Sequence, residues 1–279
     1  MLDPELQKKL IAQNRRFTQG YREDDPYMES FESDQDLKKP QPPLVKPPMA
    51  PKENRVALSK DFSQLDIKND FVSVIRDRKS ARVYTQEGMT LAQLSFLLWA
   101  TQGVKGIRGK AYATLRTVPC GGARHEFETY LLVQNVDGLR PGAYHYLPME
   151  HEVEYLHPAE DMKTVIADTL CGQSWCARAD VVFYWSMVPY RAEWRYGIYA
   201  HSTALIDLGH VGQNLYLSCT ALGLGTCGIG AFSHEQTCRA FGLDGEEEYI
   251  VYAMPVGTVR EKDRAQEQAF YQFVTDQGL

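Results

Sequence analysis

The chain has no long apolar run. Nowhere do its 279 residues approach the roughly 20 consecutive apolar residues that a membrane span requires, so no membrane partner is expected. A basic surplus is missing too. The formal net charge is −6, and binding a phosphate backbone needs a basic face, which argues against nucleic acid as a partner. Closely paired cysteines are also absent. Cys120, Cys171, Cys176, Cys219, Cys227 and Cys238 include no C-x2-C pair, so the spacing of a zinc knuckle is lacking and no metal is expected. Free thiols in a reducing compartment are the expectation, with a metal or redox-sensing role as the alternative. The opening MLDPELQKKLIAQNRRF has no uninterrupted apolar core of the kind found in a secretory signal. A cytoplasmic protein is expected.

What is present suits a globular core. Hydrophobic residues make up 44% of the chain, an ordinary share for a folded domain. Residues 1–20 read as a helix, with Asp3 as N-cap, Pro4 at the first helical position and Gly20 as a stop. Residues 21–54 then run acidic (Glu23, Asp24, Asp25, Glu29, Glu32, Asp34, Asp36) and afterwards proline-rich, from Pro40 to Pro51. Such a stretch is extended and builds no core alone. It is either a linker or an arm lying along another surface, which divides the chain into an arm over 1–54 and a domain over 55–279.

Within that domain, Asp70 caps a helix carrying Phe71, Val74 and Ile75. Thr90 and Gln93 form a capping box ahead of Leu91, Leu94 and Leu98, with Gly103 at the end. Residues 128–134 read as a strand, 142–147 and 152–156 as a hairpin, and 161–170 as a short helix ending at Gly172. The continuous apolar run at 180–187 reads as a buried strand. The longest helix spans 202–222, with Leu205, Leu208, Val211, Leu215, Cys219 and Leu222 on one broad face. Ser233 and Gln236 cap another helix, and 248–257 is the last strand. Strands and helices do not alternate strictly, which favours an α+β fold over a doubly wound parallel sheet.

Three segments carry candidate chemistry. Gly223 to Gly228 spells G-x-G-x-x-G. The dinucleotide fingerprint needs a strand before it and a helix opening at it, however, and here a long helix comes first. Close approach of a flat ligand to a backbone without Cβ atoms is the functional alternative to a plain helix-ending turn. The segment RDRKSARVY brings Arg76, Arg78, Lys79, Ser80 and Arg82 together. It reads either as a solvated basic loop or as a phosphate-monoester site of guanidinium groups and a hydroxyl. In TVPCGGARHE, Pro119 fixes φ while Gly121 and Gly122 permit close approach. That segment reads as a loop shaped for a ligand or partner chain, or as a turn.

Taken in order, these segments resemble the FMN-dependent nitroreductase family, and most closely its SagB-type dehydrogenase branch, which includes azoline dehydrogenases. The resemblance covers residues 70–260 or so and rests on RKSARVY (78–84), LAQLSFLLWATQGV (91–104), RTVPCGGARHE (116–126), LRPGAYHY (139–146), LIDLGHVGQNLYLSCTALGLGTCGIGAF (205–232) and MPVG (254–257). It implies a central, mainly antiparallel sheet flanked by helices, and an intertwined homodimer with two flavin sites at the interface. By the same resemblance Arg78, Lys79, Ser80 and Arg82 hold the FMN phosphate and ribityl chain. Pro119, Cys120, Gly121 and Gly122 reach the flavin held mainly by the other subunit. Backbone N–H groups of Gly228, Ile229 and Gly230 approach the ring, and Arg260, with Arg264 as its rival, gives a late phosphate contact. The implied activity is hydride transfer between the flavin and a small organic or peptide substrate, with NAD(P)H as a candidate dissociable donor for which no motif stands in the sequence. A non-catalytic flavin-binding or partner-binding protein of the same fold is the alternative.

Two departures bear on that resemblance. Cys120 stands where the branch usually has serine, and a thiol is a weaker hydrogen-bond partner. Arg195 and Tyr196, the candidate catalytic pair, stand where azoline dehydrogenases carry Lys-Tyr. Tyrosine can shuttle a proton, whereas arginine is effectively always protonated and makes a poor base.

Overall fold

The computed structural model describes residues 3–20, 31–260, Lys262, Ala265, Ala269, Gln272, Phe273 and 275–278. Its centre is a seven-stranded antiparallel sheet in the order β1-β6-β5-β4-β7-β9-β8. The strands are β1 (Arg55–Ala57), β4 (Phe127–Val133), β5 (Gly142–Leu147), β6 (Glu152–His157), β7 (Val181–Met187), β8 (Leu224–Thr226) and β9 (Tyr249–Thr258). A separate ribbon pairs β2 (Val104–Arg108) with β3 (Ala113–Arg116). The sheet is flanked by helices, so the α+β architecture expected from the sequence is the one observed.

Strand periodicity explains the layering. Leu131, Val133, Phe183 and Trp185 turn one way and pack with Leu94, Leu97 and Leu98 of α3 (Leu91–Gln102) and with Val211, Leu215 and Cys219 of α6 (Ala200–Ala221). Their neighbours Tyr130, Leu132, Val182 and Tyr184 turn the other way, onto Ile166 of α4 (Met162–Thr169) and Phe241 of α7 (His234–Phe241). Both faces of β4 and β7 are covered, which is why the run at 180–187 is apolar without alternation. Burying each such side chain contributes on the order of 1.5–3 kcal/mol before entropy is counted.

Local signals act where the sequence placed them. The side chains of Asp70, Thr90 and Ser233 accept from Val72 N, Gln93 N and Gln236 N, and Thr90 and Gln93 close the capping box. The first helix, α1 (Pro4–Phe17), ends at Thr18 rather than at Gly20. One correction concerns α6. Leu205 lies off its buried face at 55% exposed, and Ile206 beside it is 65% exposed. Ala204 continues the buried stripe in place of Leu205, and Asp207 is buried at its edge.

The acidic start of the arm (Glu23, Asp24, Asp25, Glu29) lies outside the described residues. From Phe31 onward the arm runs over the chain's own domain. Gln35 N donates to Trp194 O at 2.8 Å, and Trp194 Nε1 donates to Lys39 O at 3.0 Å, binding residues 35–39 to α5 (Pro189–Tyr196). Further along, Lys46 N donates to Glu128 Oε1 at 2.7 Å, and Met49 N and Ala50 N donate to Glu154. The arm thereby covers a buried ionic row. His145 sits between Glu154 (2.8 Å) and Glu128 (3.4 Å), Arg191 pairs with Glu128 at 2.5 Å, and Lys46 pairs with Glu248 at 2.5 Å. Burial alone would keep His145 neutral, but hydrogen bonds and charge from Glu128 and Glu154 outweigh it and raise its pKa.

Candidate functional site

The candidate residues fall at the two ends of α6. At the C-terminal end, the segment after α2 (Phe71–Asp77) meets the glycine-rich turn. The hydroxyl of Tyr216 lies 3.0 Å from Ser80 Oγ and accepts from Gly228 N at 2.7 Å. The Arg78 guanidinium lies over the Tyr216 ring, 5.2 Å from its centre. Ala81 N donates to Thr226 O, which fixes the basic segment beside β8. Lys79 is exposed and lines a cavity of about 140 Å³ with Lys68, Gly223 and Gly225. Arg82 is exposed. Arg260 is exposed as well and pairs with Glu87 at 3.2 Å, while Arg264 lies outside the described residues.

The glycines at this end do different work. A Cβ at Gly228 would fall 2.0 Å from the Tyr252 hydroxyl, so a larger residue there displaces that ring. Gly228 N is committed to Tyr216, and Ile229 N donates to Ala253 O at 2.8 Å. Two of the three N–H groups assigned to a ring edge thus have partners within the chain. Around Gly230 nothing lies within 4 Å of a built Cβ, so open space adjoins this turn. The G-x-G-x-x-G letters follow α6 and pass through β8, and no helix opens at them.

The N-terminal end of α6 faces the other loop. Gly122 has φ +56°, and a Cβ there would come within 2.6 Å of the Arg195 side chain and 2.8 Å of the Tyr196 hydroxyl. A Cβ at Gly121 would meet Thr203 Cγ2 at 2.8 Å and Asp207 Oδ2 at 3.2 Å. The two glycines are therefore required by what crowds against them. Arg195 is tied down, its Nη1 donating to Gln35 Oε1 (3.0 Å) and to the Tyr112 hydroxyl (2.8 Å). Its neighbour Arg124 stacks between the rings of Tyr112 and Trp194, with its guanidinium 4.8 Å and 5.3 Å from their centres. Tyr196 is partly buried, and that burial raises its pKa.

Behind the same loop lies a group that sequence reasoning passed over. Cys120 Sγ and one oxygen each of Glu126 and Asp207 lie within 4.8 Å of one another. The thiol donates to Glu126 Oε2 at 3.2 Å and accepts from His125 N at 3.0 Å, and Asp207 Oδ2 accepts from Gly121 N at 2.8 Å. Burial, with Glu126 and Asp207 close by, pushes the Cys120 thiol well above its usual range. Desolvation also drives His125 down to about 2, keeping that ring neutral. The one signal available in the sequence was Asp207, an acid set among the apolar positions of the longest helix. Tyr216, which joins the basic segment to the glycine turn, was also missed because tyrosine there reads as packing.

Tyr216 and Asp207 are nine positions apart on α6, which places the two groups of residues roughly 14 Å apart along the helix at 1.5 Å per residue. One end is cationic and open, the other acidic and closed.

The Nitroreductase family profile matches residues 75–258. MJ1384, a nitroreductase-type protein of Methanocaldococcus jannaschii, is 33% identical over 184 residues, covering 66% of this chain and 88% of that protein. A nitroreductase-type structure from Ralstonia eutropha superposes with a TM-score of 0.61 at 22% identity, over 80% of this chain and 98% of that one. One from Anabaena variabilis gives 0.56 at 25% identity over 67% of this chain, which spans only 38% of that longer protein. A chain of the E. coli microcin synthetase McbBCD complex, solved with truncated pro-MccB17 bound, gives 0.58 at 16% identity, over 93% of this chain and 95% of that one.

Proposed function

Because the chain belongs to the nitroreductase family, we propose that it is an FMN-dependent oxidoreductase that moves hydride between the flavin and a small organic or peptide substrate, with NAD(P)H as electron donor. The observation that carries this reading is the Tyr216 hydroxyl, which ties Ser80 to Gly228 N and makes one unit of the basic segment and the glycine turn. The donor set suits a phosphate monoester: Arg78, Lys79 and Arg82 supply charge, and Ser80 a hydroxyl. The open space beside Gly230 suits a flat ring. When bound, FMN would supply the hydride chemistry, and the chain's part is to orient it and to handle protons.

A homodimer with shared sites follows from the same reading. Pro119, Cys120, Gly121 and Gly122 lie at the far end of α6 from Arg78 and Ser80, a separation that a second copy laid antiparallel along the helix would close. Exposed Phe71, Val72 and Ile75 on α2, and Leu205 and Ile206 on α6, supply apolar surface for such a partner. Cofactor residues in this reading are Arg78, Lys79, Ser80, Arg82, Gly230 and Arg260 from one subunit and the 119–122 loop from the other, with Gly228 and Ile229 shaping the turn while their N–H groups stay bonded to Tyr216 and Ala253. Tyr196 handles the proton, and Arg195, held by Gln35 and Tyr112, is a fixed charge beside it. The McbBCD likeness favours a peptide substrate and the SagB-type branch, and the fixed arginine argues against a close copy of azoline oxidation. Among the described residues no helix is long and apolar enough to cross a membrane, and a cytoplasmic location is part of the proposal.

Mass analysis of the released cofactor, followed by a donor-and-acceptor screen, tests the reading. FMN that is bleached by NAD(P)H and restored by an acceptor is expected. FAD, or no flavin, overturns it. A flavin that no donor reduces points to the non-catalytic binding role.

A further inference from the structure

The trio behind the glycine pair has an uncompensated member. Glu126 is 1% exposed, and its Oε1 has no hydrogen-bond partner among the described residues. Leaving a buried carboxylate oxygen unpaired is costly, and a proton on the group removes much of that cost. Polar groups stand around it. The Cys120 thiol donates to Glu126 Oε2 at 3.2 Å, and Asp207 lies within 4.8 Å of both. His210, exposed on α6, places Nδ1 3.8 Å from Asp207 Oδ1, beyond direct hydrogen-bond reach. Tyr196 adjoins the same groups, since a Cβ on Gly121 would touch both its ring (3.4 Å) and Asp207.

We propose that Glu126 is the proton store of this site, held beside Cys120 and Asp207 and serving Tyr196 next to Gly121 and Gly122. The proposal rests on the oxidoreductase reading and adds a residue to it. The balance is simple. Reducing an acceptor A to AH2 takes one hydride, whose electrons come from NAD(P)H through the flavin, and one proton. The proton leaves Glu126 as its carboxylate forms, and solvent restores it. In the opposite direction the carboxylate accepts the proton.

The electrostatics agree. Desolvation, with the Asp207 charge adding to it, lifts Glu126 to about 7, against the pull of its own backbone N–H, the Cys120 thiol and the Arg116 charge from β3. Asp207 is raised as well, by burial, against its bond from Gly121 N and the nearby Cys120 and His210. Arg124, Arg191 and Arg195 stand on the loop and on α5. Arg124 bonds to Gly122 O and Tyr112 O, Arg191 to Glu128 and to His125 O, and Arg195 to Gln35 and Tyr112.

Infrared titration of the full-length protein, with its cofactor, tests this. The carbonyl stretch of protonated Glu126, assigned by its loss in Glu126→Gln, should vanish as pH rises through about 7. Asp207→Asn should move the midpoint down, by removing a repelling charge. Cys120→Ala should move it up, by removing a donor. As a second readout, photoreduced flavin is reoxidised by menadione across the same pH range. The rate should fall above the same midpoint in the native protein and show no such fall in Glu126→Gln. A Glu126 carboxyl ionised throughout the neutral range overturns the proposal, as does a menadione profile unchanged by Glu126→Gln. A stoichiometric divalent ion lost on removal of any of the three side chains overturns it too. Failure of the oxidoreductase reading is seen separately, in the flavin absorbance, because the infrared band reports the carboxyl and not the flavin.

Discussion

The two ends of α6 are built on opposite principles. Around Tyr216, charges are cationic, with Lys79 and Arg82 exposed and Arg78 over the ring, and open space adjoins Gly230. Around Asp207, acids are buried, Gly122 takes a left-handed conformation that leaves no room for a Cβ, and Arg124 and Arg195 are pinned. An anion can arrive at the first end and be desolvated by binding. The second end is desolvated already and fixes geometry before anything arrives. That division suits a site in which one part captures a charged cofactor and the other manages protons and orientation. Under the proposed reading, each end supplies what the other lacks.

Arg78→Ala should produce the largest effect, because it removes charge only from the capturing end. A loss on the order of 2 kcal/mol, about thirtyfold in FMN dissociation constant, is expected by titration of apoprotein. Unchanged affinity would make the basic segment a solvated face. Gly122→Ala acts at the other end. Positive φ and the contact with Arg195 should cost roughly 1–3 kcal/mol in stability, read as a lower unfolding midpoint. A neutral result would mean that the loop relaxes freely. Tyr216→Phe keeps the ring under Arg78 but removes the partner of Ser80 and Gly228 N. About 1–3 kcal/mol is expected for the orphaned N–H, with weaker FMN binding. Equal affinity would show that the bridge only packs.

A smaller effect should come from pH. Glu126 has a folded pKa raised to about 7 above an ordinary carboxylate value near 4.5. Between those values the folded state binds more protons than the unfolded chain, so its contribution to stability declines as pH rises through that window. In Glu126→Gln that share of the decline should disappear from denaturant unfolding curves. Curves that still match the native ones would place the carboxyl's titration elsewhere. Glu154 has the opposite sign. Burial raises its pKa, but bonds from His145, Ala50 and Met49 lower it further, so its hold on the arm is lost as pH falls through its depressed value.

Much of this was legible in the sequence where the determinant is local. Caps at Asp70, Thr90 and Ser233 act through neighbours three positions away or fewer, and the apolar strands announce themselves by composition. What escaped was set by tertiary contact. The β2–β3 ribbon is polar and short, so no periodicity marks it. Leu205 fits the apolar face of α6 by letter, yet Ala204 fills that place and Asp207 is buried beside it, accepting from Gly121 N. The arm's course depends on Glu128 and Glu154, far along the chain from Lys46 and Met49. Glu126 and Asp207 meet only once β4 and α6 are packed, and no spacing in the sequence joins them.

The central claim is that a complete site takes one end of α6 from each of two chains. Mixing subunits tests it most directly. An Arg78→Ala chain and a Gly122→Val chain, each defective as a homodimer, are refolded together in equal amounts, and flavin content and menadione reduction are measured. In a shared site the mixed dimer has one site with both ends intact, so random pairing should restore about a quarter of the native sites. No recovery above the separate variants would place each site within a single chain and contradict the claim.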